Sequence, residues 1–296
     1  MLPTPSPAAL ERAASALAAA EALLITAGAG MGVDSGLPDF RGDQGFWRAY
    51  PAYQKLGLSF SALANPRWFH RDPQLAWGFY GHRLNLYRRT QPHAGFGILR
   101  RLADAMPRGA YVFTSNVDGQ FQRAGFPDDR VVEVHGGIEY LQCLPMCRPF
   151  IFPAPAPATP DGDAVAVDPE TCRAAEPLPH CPECGALARP NILMFNDGEW
   201  LTDRYAHSSD RMRGWLSKLP AGKLVLVELG AGLGIPTVRL FGEQVMYVKD
   251  ATLIRINPGE PGVPSDGEAI SLPGGARETL TALAALLPAR LRPSPP

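Results

Sequence analysis

Residues 28–42 read GAGMGVDSGLPDFRG and follow the apolar run ALLITA at 22–27. Such a run is a buried strand. The glycines that end it make a turn whose backbone N–H groups can approach a pyrophosphate, with the following helix turning its positive end to the phosphates. Glycines alone describe an ordinary turn equally well. Asp39, Phe40 and Arg41 add a carboxylate, a ring and a guanidinium that a plain turn does not need.

Working outward, further short apolar runs occur at Tyr111-Val112-Phe113, at 131–134, at 224–229 and at 253–256, each ending where polar or small residues begin. Helical stretches separate them. Ser6 followed by Pro7 marks a helix start that continues through Glu21, and Leu280, Leu283 and Leu287 stand at helical spacing. Apolar strands alternating with helices imply a parallel sheet covered on both faces, with ligands at the carboxyl ends of its strands.

Two segments do not fit a simple crossover. Residues 43–93 carry Trp47, Trp68, Phe69, Trp77, Phe79, Tyr80 and Tyr87, and read as a helical insertion. Residues 141–187 form a second insertion, in which the 33 residues between Cys147 and Cys181 contain eight prolines and read as an exposed or disordered loop. The large domain is therefore expected from 1–42, 94–140 and 188–296. The two insertions together make the smaller one.

With 28 basic and 29 acidic residues and a net charge of −1, the chain offers no electrostatic reason to bind nucleic acid or anionic lipid. No segment has the length and apolarity of a membrane span, and the N-terminal stretch lacks the layout of a secretory signal, so a cytoplasmic protein is expected. Five cysteines suit reduced thiolates better than a disulfide framework. Cys143 and Cys147, with Cys181 and Cys184 in Cys-Pro-Glu-Cys-Gly, have the spacing of a closed, structural zinc site. Cys172 reads as a spare thiol and His180 as a loop residue, although either could replace one ligand.

Three further motifs stand at strand ends: Thr114-Ser115-Asn116-Val117-Asp118-Gly119, Glu133-Val134-His135-Gly136, and Arg255-Ile256-Asn257. Together with GAGMGVDSGLPDFRG and the paired cysteines, their order resembles the sirtuins, the NAD-dependent protein lysine deacylases. The resemblance spans roughly residues 20 to 260. It implies an α/β fold, a Rossmann-like parallel sheet with helices on both faces plus a small zinc-binding and helical module, with NAD in the cleft between them and zinc outside the chemistry.

By the same resemblance, NAD would be held by Ala27, Gly28, Ala29, Gly30, Asp39, Phe40, Arg41, Ser115, Asn116, Asp118, His135, Gly230, Ala231, Gly232 and Asn257. Asn116 and Asp118 would meet the nicotinamide carboxamide and ribose, and Asn257 the adenosine ribose. Phe40 would shield the reaction centre, and Arg41 would contact phosphate or organise the loop. An acyl-lysine amide oxygen would attack the ribose anomeric carbon as nicotinamide leaves. His135 would then activate a ribose hydroxyl to attack the acyl carbon, a task suited to an imidazole titrating near neutrality. The catalytic pair is thus His135 and Asn116, the partner an acyl-lysine protein or peptide, and the products free lysine, nicotinamide and acyl-ADP-ribose.

Several positions depart from the family pattern. Ser115 replaces a glutamine, Gly32 a serine, and Gly230-Ala231-Gly232 a glycine-threonine-serine run. Met194-Phe195-Asn196-Asp197 replaces the Phe-Gly-Glu segment that pairs with substrate, which leaves Phe195 as its acyl-facing candidate. Tyr80 and Arg83 are spaced like the tyrosine and arginine with which some sirtuins grip succinyl and malonyl carboxylates, although on a helix such residues also make a surface pair. The altered substrate segment keeps two other readings in play: a protein ADP-ribosyltransferase or NAD hydrolase on the same fold, and a non-enzymatic NAD sensor.

Overall fold

A computed structural model describes residues 3–38, 46, 47, 50–55, 57–157 and 162–291. Among the described residues there are eleven strands: β1 (Ala22–Ala27), β2 (Ala110–Thr114), β3 (Val131–Glu133), β4 (Gly136–Cys143), β5 (Ile151–Pro153), β6 (Val167–Asp168), β7 (Arg173–Ala174), β8 (Ala188–Ile192), β9 (Leu224–Leu229), β10 (Thr252–Ile256) and β11 (Ala269–Leu272). The longer helices are α1 (Pro7–Ala19), α2 (Pro73–Arg89), α3 (Ala94–Ala105), α4 (Asp203–Ser217), α5 (Thr237–Lys249) and α6 (Ala276–Leu286). Helix α1 starts as expected: the Ser6 side chain accepts from the Ala9 N–H at 3.2 Å, a cap worth about 1 kcal/mol. It ends at Ala19 rather than at Glu21, because β1 begins at Ala22.

Six strands form one sheet in the order β11-β10-β9-β1-β2-β3, with every pairing parallel. Central β1 and β9 are buried at all six positions, which is why they read as continuous apolar runs. The strand order reverses between them, and ligands of such sheets bind at that switch point. One face packs Leu17 of α1, Leu99 of α3 and Leu280 of α6. The other packs Met212 of α4 and Met246 of α5.

A third core lies outside the sheet. It joins Trp77, Phe79 and Tyr80 of α2 to Ile138 and Leu141 of β4 and Ile192 of β8, so both insertions share one apolar interior. Strands β5, β4 and β8 make a small antiparallel sheet beneath it.

The proline-rich segment is more structured than its composition suggests. Its β5 pairs with β4, and its β6 and β7 pair with each other. Val165, Ala174 and Leu178 are buried in the third core. Helix α2 makes room with two glycines, since a Cβ on Gly78 would lie 1.9 Å from the Cys172 carbonyl oxygen and one on Gly81 2.7 Å from Val165. Asn85 then ties the segment down, donating to the Val165 carbonyl at 2.8 Å and accepting from the Ala164 N–H at 2.9 Å.

Candidate active site

The loops that leave β1 and β9 interlock at the switch point. Gly230 has φ +58°, and a Cβ there would lie 2.4 Å from the Gly30 carbonyl carbon and the Met31 nitrogen. A Cβ on Gly28 would come within 2.8 Å of the Ala231 Cα. The Gly30 N–H donates to the Gly230 carbonyl at 3.1 Å. These glycines let two backbones touch before any ligand is considered. Beyond them the chain forms a 3₁₀ turn, Ala29–Ser35, instead of the α-helix expected behind a phosphate cradle.

A cavity of about 690 Å³ opens above this crossing. Gly28, Ala29, Gly230, Ala231 and Gly232 wall one side, Ser115, Asn116, Asp118 and His135 the next. Tyr80 and Arg83 approach from α2, and Phe195 from the loop after β8. Ala27, Gly30 and Asn257 do not reach the wall. Asn257 is fully buried, where its amide donates to the Ala231 carbonyl at 2.9 Å and its oxygen accepts from the Gly259 and Glu260 N–H groups. It shapes both loops from behind. Asp39, Phe40 and Arg41 lie outside the described residues.

The loop after β2 is pinned to β1. The Ser115 N–H donates to the Ala27 carbonyl at 3.1 Å, and the Thr114 hydroxyl donates to the same carbonyl while accepting from the Asn116 N–H. Asp118 is buried, and that burial raises its carboxyl to a pKa of about 6 against the opposing pull of the Gln120 N–H and the Arg83 charge. His135 follows β3 and is half-buried, with its pKa lowered chiefly by burial and raised in part by a hydrogen bond to the Ser115 backbone. A neutral imidazole with one nitrogen tethered to a carbonyl leaves the other to accept a proton. The His135 carbonyl takes the Leu193 N–H at 2.9 Å, fixing the chain on both sides of the cavity.

The four expected metal ligands come together. The sulfur atoms of Cys143, Cys147, Cys181 and Cys184 all lie within 4.8 Å of one another, with Cys143 and Cys184 3.6 Å apart and Cys147 and Cys181 3.8 Å apart. Four thiolates at the usual zinc distance around one ion have sulfurs ~3.8 Å apart. The donor set fits closed tetrahedral zinc. Neither Cys172 nor His180 joins it: Cys172 packs against α2, and His180 makes a backbone bridge with Leu187.

This arrangement has counterparts among known proteins. Residues 28–214 match the model of the Sir2 family. This chain belongs to the Sir2 family. It is 30% identical to an NAD-dependent protein deacylase of Methylococcus capsulatus over 88% of this chain and 90% of that one. It is 31% identical to an NAD-dependent protein deacylase of Aquifex aeolicus over 59% of this chain, a stretch spanning 62% of that protein. The crystal structure of a Sir2 homologue in complex with NAD superposes with a TM-score of 0.68 at 25% identity, covering 93% of each chain.

Within this Sir2-family fold, Tyr80 and Arg83 are not a surface pair. Both are buried on the cavity wall. The Arg83 guanidinium carbon lies 5.1 Å from the ring centre of Phe79, 5.4 Å from Tyr87, 5.8 Å from Tyr80 and 5.9 Å from Phe60, an aromatic box around a cation. The substrate segment is also tied inward. Arg189 and Asp197 form a fully buried ion pair, and the Asp197 carboxylate accepts from the Met194 N–H. Leu193 and Phe195 donate their N–H groups to His135 and Ala64. Residues 193–195 therefore have their backbone donors engaged within the chain.

Tyr87 and Glu260 are among the wall residues that escaped the sequence reading. Tyr87 stands one helical turn beyond Arg83, an i,i+4 spacing that could have revealed it. Glu260 gave no such signal. Its carboxylate accepts the Leu233 N–H at 3.0 Å and its carbonyl takes the Arg239 guanidinium, two contacts made only when distant loops meet.

Proposed function

We propose that this cavity is the site of an NAD-dependent protein deacylase in which His135 is the general base, Asn116 and Asp118 meet the nicotinamide half of NAD, and Tyr80 and Arg83 receive an acyl group bearing a carboxylate. The supporting observation is the convergence of Asn116, Asp118 and His135 at one wall, facing a buried guanidinium across the same cavity. NAD supplies the leaving nicotinamide and the ribose hydroxyl. His135 takes the hydroxyl proton on the nitrogen turned away from Ser115, and the Ser115 backbone steadies the resulting imidazolium. An ionised Asp118 accepts from a carboxamide N–H. The Arg83 guanidinium, buried beside the rings of Phe60, Phe79, Tyr80 and Tyr87, supplies the positive charge that attracts an acyl carboxylate.

The test is a mass spectrum of products after incubation with NAD and acetyl, succinyl or malonyl peptides. Acyl-ADP-ribose is expected from each accepted peptide, with succinyl or malonyl turned over faster than acetyl. ADP-ribose attached to protein, or free ADP-ribose without acyl transfer, would overturn the deacylase reading.

The Asp118 assignment predicts a pH dependence of NAD binding. With the carboxyl pKa raised to about 6, the acceptor is ionised above that pH and lost below it. NAD affinity measured by calorimetry should weaken about tenfold between pH 7 and pH 5. Equal affinity at both values would remove Asp118 from the carboxamide.

A further inference from the structure

Asn257, expected at the adenosine ribose, lies fully buried behind the cavity wall. Among the described residues beyond β10, Glu260 alone reaches that wall. Three parts of Glu260 are held. Its N–H donates to the Asn257 side-chain oxygen at 3.0 Å, its carbonyl accepts from the Arg239 guanidinium, and its carboxylate accepts from the Leu233 N–H at 3.0 Å. Asn257 and Arg239 meet again at the Ala231 carbonyl, donating to it at 2.9 and 3.1 Å. The loops after β9 and β10 are thereby braced against each other. The brace ends in a carboxylate at the cavity, where a Cβ on wall residue Gly232 would lie 3.5 Å from it. A carboxylate offers about four lone-pair sites, of which the Leu233 N–H occupies one.

Strand order gives this carboxylate its place along the cavity. Asn116 and Asp118 follow β2 and His135 follows β3, on one side of β1, whereas the loops after β9 and β10 lie on the other. A dinucleotide bound across a switch point has one nucleoside on each side, with the pyrophosphate between them. With nicotinamide beside Asn116 and Asp118, the adenosine half comes to the 230–233 loop and Glu260. The cation of the brace, Arg239, is buried off the wall and donates to two carbonyls. Among the described wall residues the one lysine or arginine is Arg83, which stands on α2.

We propose that Glu260 determines cofactor specificity, its carboxylate accepting hydroxyl groups of the adenosine ribose and repelling the 2′-phosphate that distinguishes NADP from NAD. This inference rests on the placement of nicotinamide beside Asn116 and Asp118. The ribose diol brings two O–H donors, which a carboxylate receives more strongly than a neutral oxygen does. A phosphate in the same place brings a charge of about −1.5 to −2 against the carboxylate. In dinucleotide-binding sheets an acidic side chain at the adenosine ribose selects NAD in this way, and an arginine there accommodates NADP.

The experiment measures binding of NAD, NADP and ADP-ribose by calorimetry, without acyl peptide, on wild type, Glu260→Gln and Glu260→Ala. Glutamine keeps an oxygen for the Leu233 N–H and removes the charge. In Glu260→Gln the Kd values for NAD and ADP-ribose should rise together, about tenfold, as expected for lost hydrogen bonds to a charged group. The ratio of the NADP Kd to the NAD Kd should fall at least about tenfold in both variants, because the repulsion goes with the charge. Asp118→Asn, which keeps an oxygen for the Gln120 N–H, tests the nicotinamide placement: it should weaken NAD about tenfold and leave ADP-ribose, which has no carboxamide, within about threefold. If Asp118→Asn behaves so but the NADP to NAD ratio is unchanged in Glu260→Gln, Glu260 is only a brace for the loops, and the inference is overturned while the placement stands. Asp118→Asn with unchanged NAD affinity, or with equal losses for NAD and ADP-ribose, overturns the placement and this inference with it. A wild type that binds NADP as tightly as NAD overturns the inference as well.

Discussion

His135→Ala should lower kcat for deacylation by a factor of about 10² to 10⁴, the usual contribution of a positioned general base, with NAD affinity changed by less than about threefold. The separation follows from what holds His135. Its backbone carbonyl receives the Leu193 N–H, and its neighbour Gly136 opens β4, so the strand crossing survives truncation of the ring. What disappears is a neutral imidazole with one nitrogen tethered to Ser115. His135→Asn would keep a polar group of similar reach without a basic nitrogen, and should be nearly as inactive. Turnover within tenfold of wild type in either variant, at saturating NAD, would show that another group moves the proton. The buried Glu133, raised to a pKa of about 7 by desolvation, lies two residues away, but its carboxylate is bound to Arg204 at 3.0 Å and stands against Gly137.

How much of this site the sequence carried depends on where each residue's partners lie. Strands β1 and β9 were legible because burial on both faces makes every position apolar. Edge strand β11 was not, since it has four residues and only alternate positions are buried. Asn116, Asp118 and His135 could be read as a group because each follows a strand of one parallel sheet, and such sheets bring those ends together. The aromatic box was hidden. An arginine on a helix normally lies at the surface, and its burial here requires Phe60 from another helix as well as Phe79, Tyr80 and Tyr87 on its own. The proline-rich segment misled by composition, because prolines lower the entropy cost of an ordered loop as readily as they forbid a helix. Gly78 and Gly81 were the available clue. Glycine within a helical pattern has a packing reason more often than a flexible one, and there the packed partner is the segment itself.

Removal of zinc should unfold the smaller module and abolish turnover, although no cysteine reaches the cavity wall. A structural zinc bound by thiolates supplies about 10 to 16 kcal/mol in isolated zinc-finger peptides, which matches or exceeds the whole stability of an ordinary domain, about 5 to 15 kcal/mol. The four cysteines span β4 at Cys143 and the turn before β8 at Cys181 and Cys184. Those two strands pair from Ala188 against Cys143 to Ile192 against Gly136, next to His135. Metal loss at one end of the ladder therefore reaches His135 at the other. Chelation, or Cys143→Ser, should release one zinc per chain, lower the melting temperature, and remove deacylation before NAD binding is lost, because Gly28, Ala29 and the 230–232 loop stand on the separately packed six-stranded sheet. Cobalt in place of zinc should restore activity with the absorption of a tetrahedral four-sulfur site. A protein stripped of metal that keeps its melting temperature and its turnover would show that the cysteine cluster does not hold β4 and β8 together. Loss of activity with the melting temperature unchanged would likewise count against the link through β4 and β8, since a closed four-thiolate shell has no open position for the reacting atoms.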